Sequence, residues 1–267
     1  MRVPLKTSKK QSSKAMNKQI KLGVIPAAGA GKRTGYLSDI LPKCLFPLYD
    51  KPIIRHVIDN MTKIGVEEIV IPTHFMKERM FEYFEHARKD IDAEIRLLPL
   101  KELPNGIALS IESAKPYVDE PFIVILGDDV TIAGSLQPLV DTFLSSRAIA
   151  VEAVVKEEDR EAIKRTCSVE LKNDGQISRI TEKPENPRTD ARGCGIYVFD
   201  PKVFDYIENT PPTPPRNEVE ITNTIGLVAR DGKAYGRMLS GININVNTPE
   251  DLFRAWCALR TQAVNKK

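Results

Sequence analysis

Apolar residues recur along this chain in two rhythms, and the change from one to the other lays out its elements. Lys21-Leu-Gly-Val-Ile-Pro26 is a short apolar run, the pattern of a strand buried on both faces, and it leads into a Gly/Ala-rich turn over residues 27–33. Residues 52–65 carry apolar side chains at helical spacing, with Pro52 at the start and Gly65 at the end, the punctuation expected of a helix. The same reading predicts strands at 68–72, 93–98 and 121–126, the last wholly apolar, separated by helices at 77–88 and 106–114. Strands that alternate with helices imply a parallel sheet covered on both faces.

Near residue 150 the rhythm changes. Strands are predicted at 150–155, 168–171 and 177–181, and Asn173-Asp-Gly-Gln176 supplies a hairpin turn between the last two. A strand at 196–199 follows. Pro211-Pro-Thr-Pro-Pro215 can be neither helix interior nor central strand and reads as a loop. A helix at 220–230, a strand at 234–239 and a helix at 249–263 close the pattern, the last with Thr248 placed as its N-cap. No repeat and no second independent core emerges. The chain therefore reads as an α/β protein with one domain over residues 19–267, divided into halves at about residue 150.

Composition narrows the classes. Hydrophobic residues make up 42% and charged residues 28%, and no apolar run approaches the ~20 residues of a membrane span, so no membrane partner is expected. The N-terminus has no apolar h-region, so no signal peptide is read there. Cys44, Cys167, Cys194 and Cys257 and the three histidines lie too far apart for a zinc site and suit a reduced, cytoplasmic setting. Net charge is +3, yet residues 1–18 alone carry six basic residues and no acid, leaving the remainder at −3. A mildly acidic body argues against nucleic-acid binding. Residues 1–18 are polar without hydrophobic period and read as a disordered basic leader, with Met16 an alternative start.

The chemistry begins in the turn after the first strand. Ala28, Gly29, Ala30 and Gly31 are small enough for backbone N–H groups to approach a phosphate chain closely. Two familiar phosphate motifs fail here. A dinucleotide fingerprint requires glycine where Thr34 stands, and a P-loop requires Ser or Thr after Gly31-Lys32, where Arg33 stands. Arg33, and Lys43 in Leu41-Pro-Lys-Cys-Leu-Phe-Pro47, suit a triphosphate clamp: arginine grips two oxygens in a fork and lysine acts as a point charge. Asp128, in Leu126-Gly-Asp-Asp129, follows the fourth strand, where a parallel sheet presents carboxylates to a ligand crevice.

Taken together, this stretch resembles the sugar-1-phosphate nucleotidyltransferases, notably the glucose-1-phosphate thymidylyltransferases and uridylyltransferases. Their G-x-G-T-R, P-K/S-K-x-x-x-P, D-K-P and L-G-D-N segments have counterparts here. So do the later segments, as Thr181-Glu-Lys-Pro184, Gly195-Ile-Tyr197, Arg216-Asn-Glu-Val-Glu-Ile-Thr-Asn223 and Asn245-Val-Asn-Thr-Pro-Glu-Asp-Leu252. The resemblance covers most of residues 21–255. It implies a Rossmann-like nucleotidyltransferase fold, with a mixed, mostly parallel central sheet flanked by helices and a small additional sheet in the second half. It also implies transfer of a nucleoside monophosphate from an NTP, UTP or dTTP by preference, to a sugar 1-phosphate, with pyrophosphate released and Mg2+ as cofactor. The implied roles are catalysis for Arg33, Lys43 and Asp128, and nucleotide binding for residues 28–31, Lys101 and Gly106. Glu182, Lys183, Gly195 and Arg216 are implied to hold the sugar phosphate, and Asp128 and Asn245 the metal.

Three departures leave alternatives open. Lys32 stands where threonine is usual, and Lys101 where thymidylyl- and uridylyltransferases place a glutamine. Both are compatible with a cytidylyltransferase for a polyol, amino-alcohol or phosphonate. Asn245 stands where the family has aspartate, and Asn247 competes with it as the second metal ligand. A non-catalytic sugar-nucleotide sensor on the same fold is the reading of another class, and the presence of Arg33, Lys43 and Asp128 tells against it. Relatives often form dimers or tetramers, which makes a homo-oligomer an expectation without an assigned interface.

Overall fold

The computed structural model of the chain describes residues 19–132 and 134–265, so the predicted basic leader lies outside the described residues. The first half runs β1 (Leu22–Val24), α1 (Leu37–Ile40), β2 (Pro47–Leu48), β3 (Lys51–Pro52), α2 (Ile53–Thr62), β4 (Glu68–Thr73), α3 (Lys77–Ala87) and β5 (Glu94–Pro99). It continues with α4 (Ile107–Glu112), β6 (Phe122–Ile125), β7 (Asp129–Ile132) and α5 (Gln137–Ser145). The second half holds β8 (Ala150–Lys156), α6 (Arg160–Lys164), β9 (Cys167–Leu171), β10 (Ile177–Glu182), β11 (Ala191–Phe199) and α7 (Val203–Glu208). It ends with α8 (Ile221–Arg230), β12 (Ala234–Met238), β13 (Ile242–Asn245) and α9 (Pro249–Val264).

A nine-stranded sheet forms the spine, in the order β10-β9-β11-β6-β1-β4-β5, with β8 joined to β11 and β12 to β8. β6, β1, β4 and β5 are mutually parallel, and β11 runs antiparallel to β6. Its flank is where the second rhythm of the sequence comes from: β9 and β10 form the predicted antiparallel hairpin, and Gly175 (φ +83°) makes its turn.

Both faces are buried, which explains the unbroken apolar runs. Along β6, Phe122 and Val124 face one cluster with α4, α7 and α8, whereas Ile123 and Ile125 face the other with α2, α3 and α5. Each such fully buried side chain contributes roughly 1.5–3 kcal/mol. A third cluster joins α9 (Ala255) to β2 (Leu48), β7 (Val130, Ile132) and β13 (Ile244). β7 and β13 pair antiparallel as a separate two-stranded sheet, so the small additional sheet draws one strand from each half of the chain. The predicted strand at 196–199 begins earlier, at Ala191, because β8 and β9 pair with residues 191–193.

The order β5-β4-β1-β6 reverses direction at β1. The chain leaves β1 toward α2 on one face and reaches β6 from α4 on the other. That reversal opens a crevice beyond the carboxyl ends of β1 and β6, the usual place for a ligand in such sheets.

Candidate active site

The crevice is a cleft of about 730 Å³, within the range that encloses small-molecule ligands. Residues 26–31 form one wall as they leave β1. Gly31 turns the chain with φ +63°, its carbonyl accepts hydrogen bonds from the Thr34 N–H (3.0 Å) and hydroxyl (2.7 Å), and a side chain there would press on Lys43 Cβ at 3.0 Å. The glycine thus serves both turn and close packing.

Beside that wall the three residues read as catalytic come together. Arg33 and Lys43 both donate to Asn247 Oδ1, at 2.7 and 3.1 Å. Lys43 Nζ is also ion-paired with Asp128 Oδ2, and Asn245 Nδ2 donates to Asp128 Oδ1 at 3.3 Å. Asn247 Nδ2 in turn donates to Asn245 Oδ1. Lys43 and Asp128 are largely covered, with side-chain exposures of 14% and 20%, so their charges interact with less screening than on a free surface. Asn247 is the hub of the cluster and is held by α9. Its N–H, and that of the N-cap Thr248, donate to Asp251 Oδ2 at 3.1 and 3.0 Å, and Thr248 Oγ1 accepts from the Asp251 N–H to complete a capping box. Asn245 reaches the site because β13 pairs with β7, which starts immediately after Asp128.

Beneath this cluster Asp129 is buried. Gly195 N–H (3.0 Å) and Asn243 Nδ2 donate to its carboxylate. Burial pushes its pKa up to about 6, against the nearby Arg192 charge and the Asn243 hydrogen bond, which lower it. Arg192 binds Asn243 Oδ1 (3.2 Å) and Glu157 Oε2 (3.2 Å), a polar brace from β7 through β13 to β11.

The far wall of the cleft comes from the second half. Lys183 takes the left-handed conformation (φ +42°), unusual for a lysine, and its Nζ bridges Glu182 (2.8 Å) and Glu220 (3.0 Å). Burial disfavours the ammonium, but the pairs with Glu182 and Glu220 outweigh it and hold its pKa above the ordinary lysine value. Burial and the neighbouring Glu182 raise the Glu220 pKa, although Lys183 opposes them. Arg216 also lines the cleft, with 75% of its side chain exposed and Glu218 at 3.7 Å.

Of the residues read for nucleotide binding, 28–31 and Gly106 line the cleft. Lys101 does not: it is exposed, and Leu103, Pro104, Ile107 and Ser110 form that rim instead. Gly106 has φ +120°, and a Cβ there would lie 2.4 Å from Val219 O and 2.6 Å from Val219 N. Gly106→Ala is therefore expected to lower stability by at least about 2 kcal/mol, through backbone strain and the displaced 217–220 segment. Urea denaturation checks this, and an unchanged midpoint would contradict it.

The sequence did not single out Glu220, Ser110 or Glu152. Glu220 stands in the same segment as Arg216, two residues after Glu218. Ser110 and Glu152 each bury a side-chain oxygen that has no hydrogen-bond partner among the described residues. Burial pushes the Glu152 pKa up to about 8 from 4.5. The folded chain therefore binds this proton more tightly than the unfolded chain, and the associated stability is present below about pH 4.5 and lost as pH rises through about 8. Glu152→Gln has no such proton. Its stability relative to the parent is expected to climb between pH 5 and 8 and then level off; paired melting curves that stay parallel across that range would contradict it.

Among the described residues, no group of three or more His, Cys, Asp and Glu could hold a metal. The oxygens present are one carboxylate, on Asp128, and the amide oxygens of Asn245 and Asn247. That set suits a magnesium ion, which takes one or two protein oxygens and completes its shell with phosphates and water.

Comparison with known proteins agrees with this arrangement. The nucleotidyl transferase family matches residues 22–262. A bifunctional GlmU protein of Methanocaldococcus jannaschii is 32% identical over 233 residues, 87% of this chain and 52% of that protein. The UTP–glucose-1-phosphate uridylyltransferase AglF of Haloferax volcanii is 28% identical over 85% of this chain and 92% of its own. The chain thus spans about half the length of the GlmU relatives and nearly all of AglF. A crystal structure described as a glucose-1-phosphate thymidylyltransferase from Bacillus anthracis superposes with a TM-score of 0.79 at 26% identity, covering 90% of this chain and 95% of that one. A UDP-glucose pyrophosphorylase bound to UDP-glucose shares the fold, with a TM-score of 0.82 at 23% identity over 91% of this chain and all of the other. By its match over residues 22–262, and in keeping with its fold, the chain belongs to the nucleotidyl transferase family.

Proposed function

We propose that the protein joins a nucleoside triphosphate, UTP or dTTP, to a sugar 1-phosphate, releasing pyrophosphate and an NDP-sugar. The observation that carries this reading is the convergence of Arg33, Lys43 and Asn245 on Asn247, with Asp128 joined to it through Lys43 and Asn245, in the cleft that Lys183 also lines. A sensor that only bound the product would have no need of this cationic and carboxylate cluster beside a phosphate-binding turn.

The attacking group is the phosphate of the sugar 1-phosphate. Its second pKa is about 6, so it is largely dianionic at neutral pH and needs no general base. Repulsion between anions and poor alignment make up the barrier, and catalysis is positioning and charge stabilisation. The backbone of residues 28–31 and Arg33 hold the triphosphate. Lys43 serves the α-phosphate, exchanging its ion pair with Asp128 for phosphate oxygens. Asp128 with Asn245 or Asn247 would hold magnesium, which supplies charge neutralisation between the phosphates when bound. Lys183 and Arg216 hold the incoming phosphate, and Glu182 accepts sugar hydroxyls. For the base, the Ser110 hydroxyl on the cleft rim is buried and has no hydrogen-bond partner among the described residues.

A coupled pyrophosphate-release assay tests the reading, run with ATP, CTP, GTP, UTP and dTTP against a panel of sugar 1-phosphates and polyol phosphates. Release that requires both substrates, and is fastest with UTP or dTTP, is expected. Release with CTP and a polyol phosphate alone would overturn it.

A further inference from the structure

Glu152 lies on β8, two residues before Val154 and so on the same face of the strand, beneath the sugar-phosphate end of the cleft. Glu182 is registered with Cys167 on the neighbouring strand, Gly193 with Val154, and Tyr197 with Glu152. Cys167, Gly193 and Tyr197 all line the cleft, and Glu152 sits behind them with 1% exposure. Its Oε1 lies 3.8 Å from Cys167 Sγ, and only 2.2 Å from where a Cβ on Gly193 would be. The lack of a side chain at Gly193 is thus what leaves room for this carboxyl at the cleft floor. Its other oxygen, Oε2, is buried and has no hydrogen-bond partner among the described residues.

A buried polar atom without a partner costs stability, and an apolar side chain of the same shape would avoid that cost. Nothing in the packing of the apolar strand β8 calls for a carboxyl; its Oε1 faces the Gly193 gap, where a ligand in the cleft would meet it, and a half-turn of the group would present the unpartnered Oε2 there instead. On the proposed function, the ligand at this end is the sugar.

We propose that Glu152 is a specificity-determining residue of the cleft, exchanging hydrogen bonds across the Gly193 gap with a neutral substituent of the sugar ring, a hydroxyl or an acylamino group. Burial keeps the carboxyl protonated at neutral pH, so it offers both a donor and an acceptor. A hydroxyl or an amide N–H and C=O matches that pair, whereas a second carboxylate, close to Glu182, would not. A sugar lacking the substituent leaves the carboxyl without a ligand partner at the gap, and sites built this way reject such analogues strongly.

The test uses the full chain, Glu152→Met, which is near in size and apolar, and Glu152→Gln, which keeps hydrogen-bonding capacity. Each is assayed by pyrophosphate release on the best hydroxylated sugar 1-phosphate, its single-position deoxy analogues and its N-acetylamino counterpart. The parent is expected to lose at least about tenfold in kcat/KM against one deoxy analogue. In Glu152→Met that penalty should vanish at that position alone, with the KM for the triphosphate unchanged, and Glu152→Gln should restore most of it. The position affected, and the response to the N-acetylamino sugar, distinguish the two kinds of substituent. Unaltered discrimination in Glu152→Met, or a uniform fall on every substrate, would overturn the proposal. A parent chain that releases pyrophosphate from no pair would instead overturn the proposed function and this inference with it.

Discussion

Asp128→Ala is expected to reduce turnover by more than about a hundredfold while leaving the protein folded. Asp128 supplies the carboxylate that pairs with Lys43 and accepts from Asn245 in the cluster completed by Asn247. On the proposed function Asp128 acts on the phosphates through the magnesium it would hold, and losing that charge neutralisation at a reacting phosphate costs on the order of 3 kcal/mol in comparable sites. The fold should survive, because the Asp128 side chain is 20% exposed and belongs to none of the three apolar clusters. The backbone bond from Val246 N–H to Asp128 O (2.8 Å), which ties β13 to the loop, does not depend on the side chain. Steady-state kinetics in excess magnesium, with a melting curve on the same sample, decide the matter. A well-folded Asp128→Ala protein with near-parent kcat would remove Asp128 from the reaction centre.

Arg33→Ala and Lys43→Ala should each lower kcat by about a hundredfold, with a much smaller effect on sugar-phosphate KM. Interactions that strengthen as charge redistributes around the α-phosphorus appear in kcat, whereas uniform binding appears in KM. A hundredfold corresponds to about 3 kcal/mol. Both cations donate to Asn247 Oδ1, so each removal also frees the other's partner, and the double variant should fall short of the product of the two single effects. Unchanged kcat with a raised sugar-phosphate KM would place these residues on the wrong substrate.

Much of this was legible in the sequence because β1 and β6 are covered on both faces. A strand in that position must be apolar throughout, and Phe122-Ile-Val-Ile125 could be little else. The motifs located Arg33, Lys43, Asp128, Glu182, Lys183, Gly195 and Arg216, and all seven line one cleft. The small sheet was harder to read. Asp129–Ile132 and Ile242–Asn245 are four residues each, and they pair only because the fold brings distant segments together. The glycines at 193 and 195 hid the first part of β11, where pairing on both sides overrides low strand propensity. Lys101, counted back from Gly106, is exposed and is not among the residues that line the cleft. The chain bends at 101–106, so a fixed spacing does not carry a side chain to the rim. Glu152 did leave a signal, a carboxylate inside an otherwise apolar strand, which only its buried surroundings make meaningful.

The central claim is nucleotidyl transfer to a sugar phosphate, and the fate of a label on the triphosphate tests it most directly. With the NTP labelled at the α-phosphorus, and a sugar 1-phosphate and magnesium present, the label should pass wholly into the NDP-sugar. In a matched reaction labelled at the γ-phosphorus, it should pass wholly into pyrophosphate. Recovery of the γ-label in a phosphorylated sugar or in inorganic phosphate, with the α-label left in NDP, would mean kinase or hydrolase chemistry and would contradict the account.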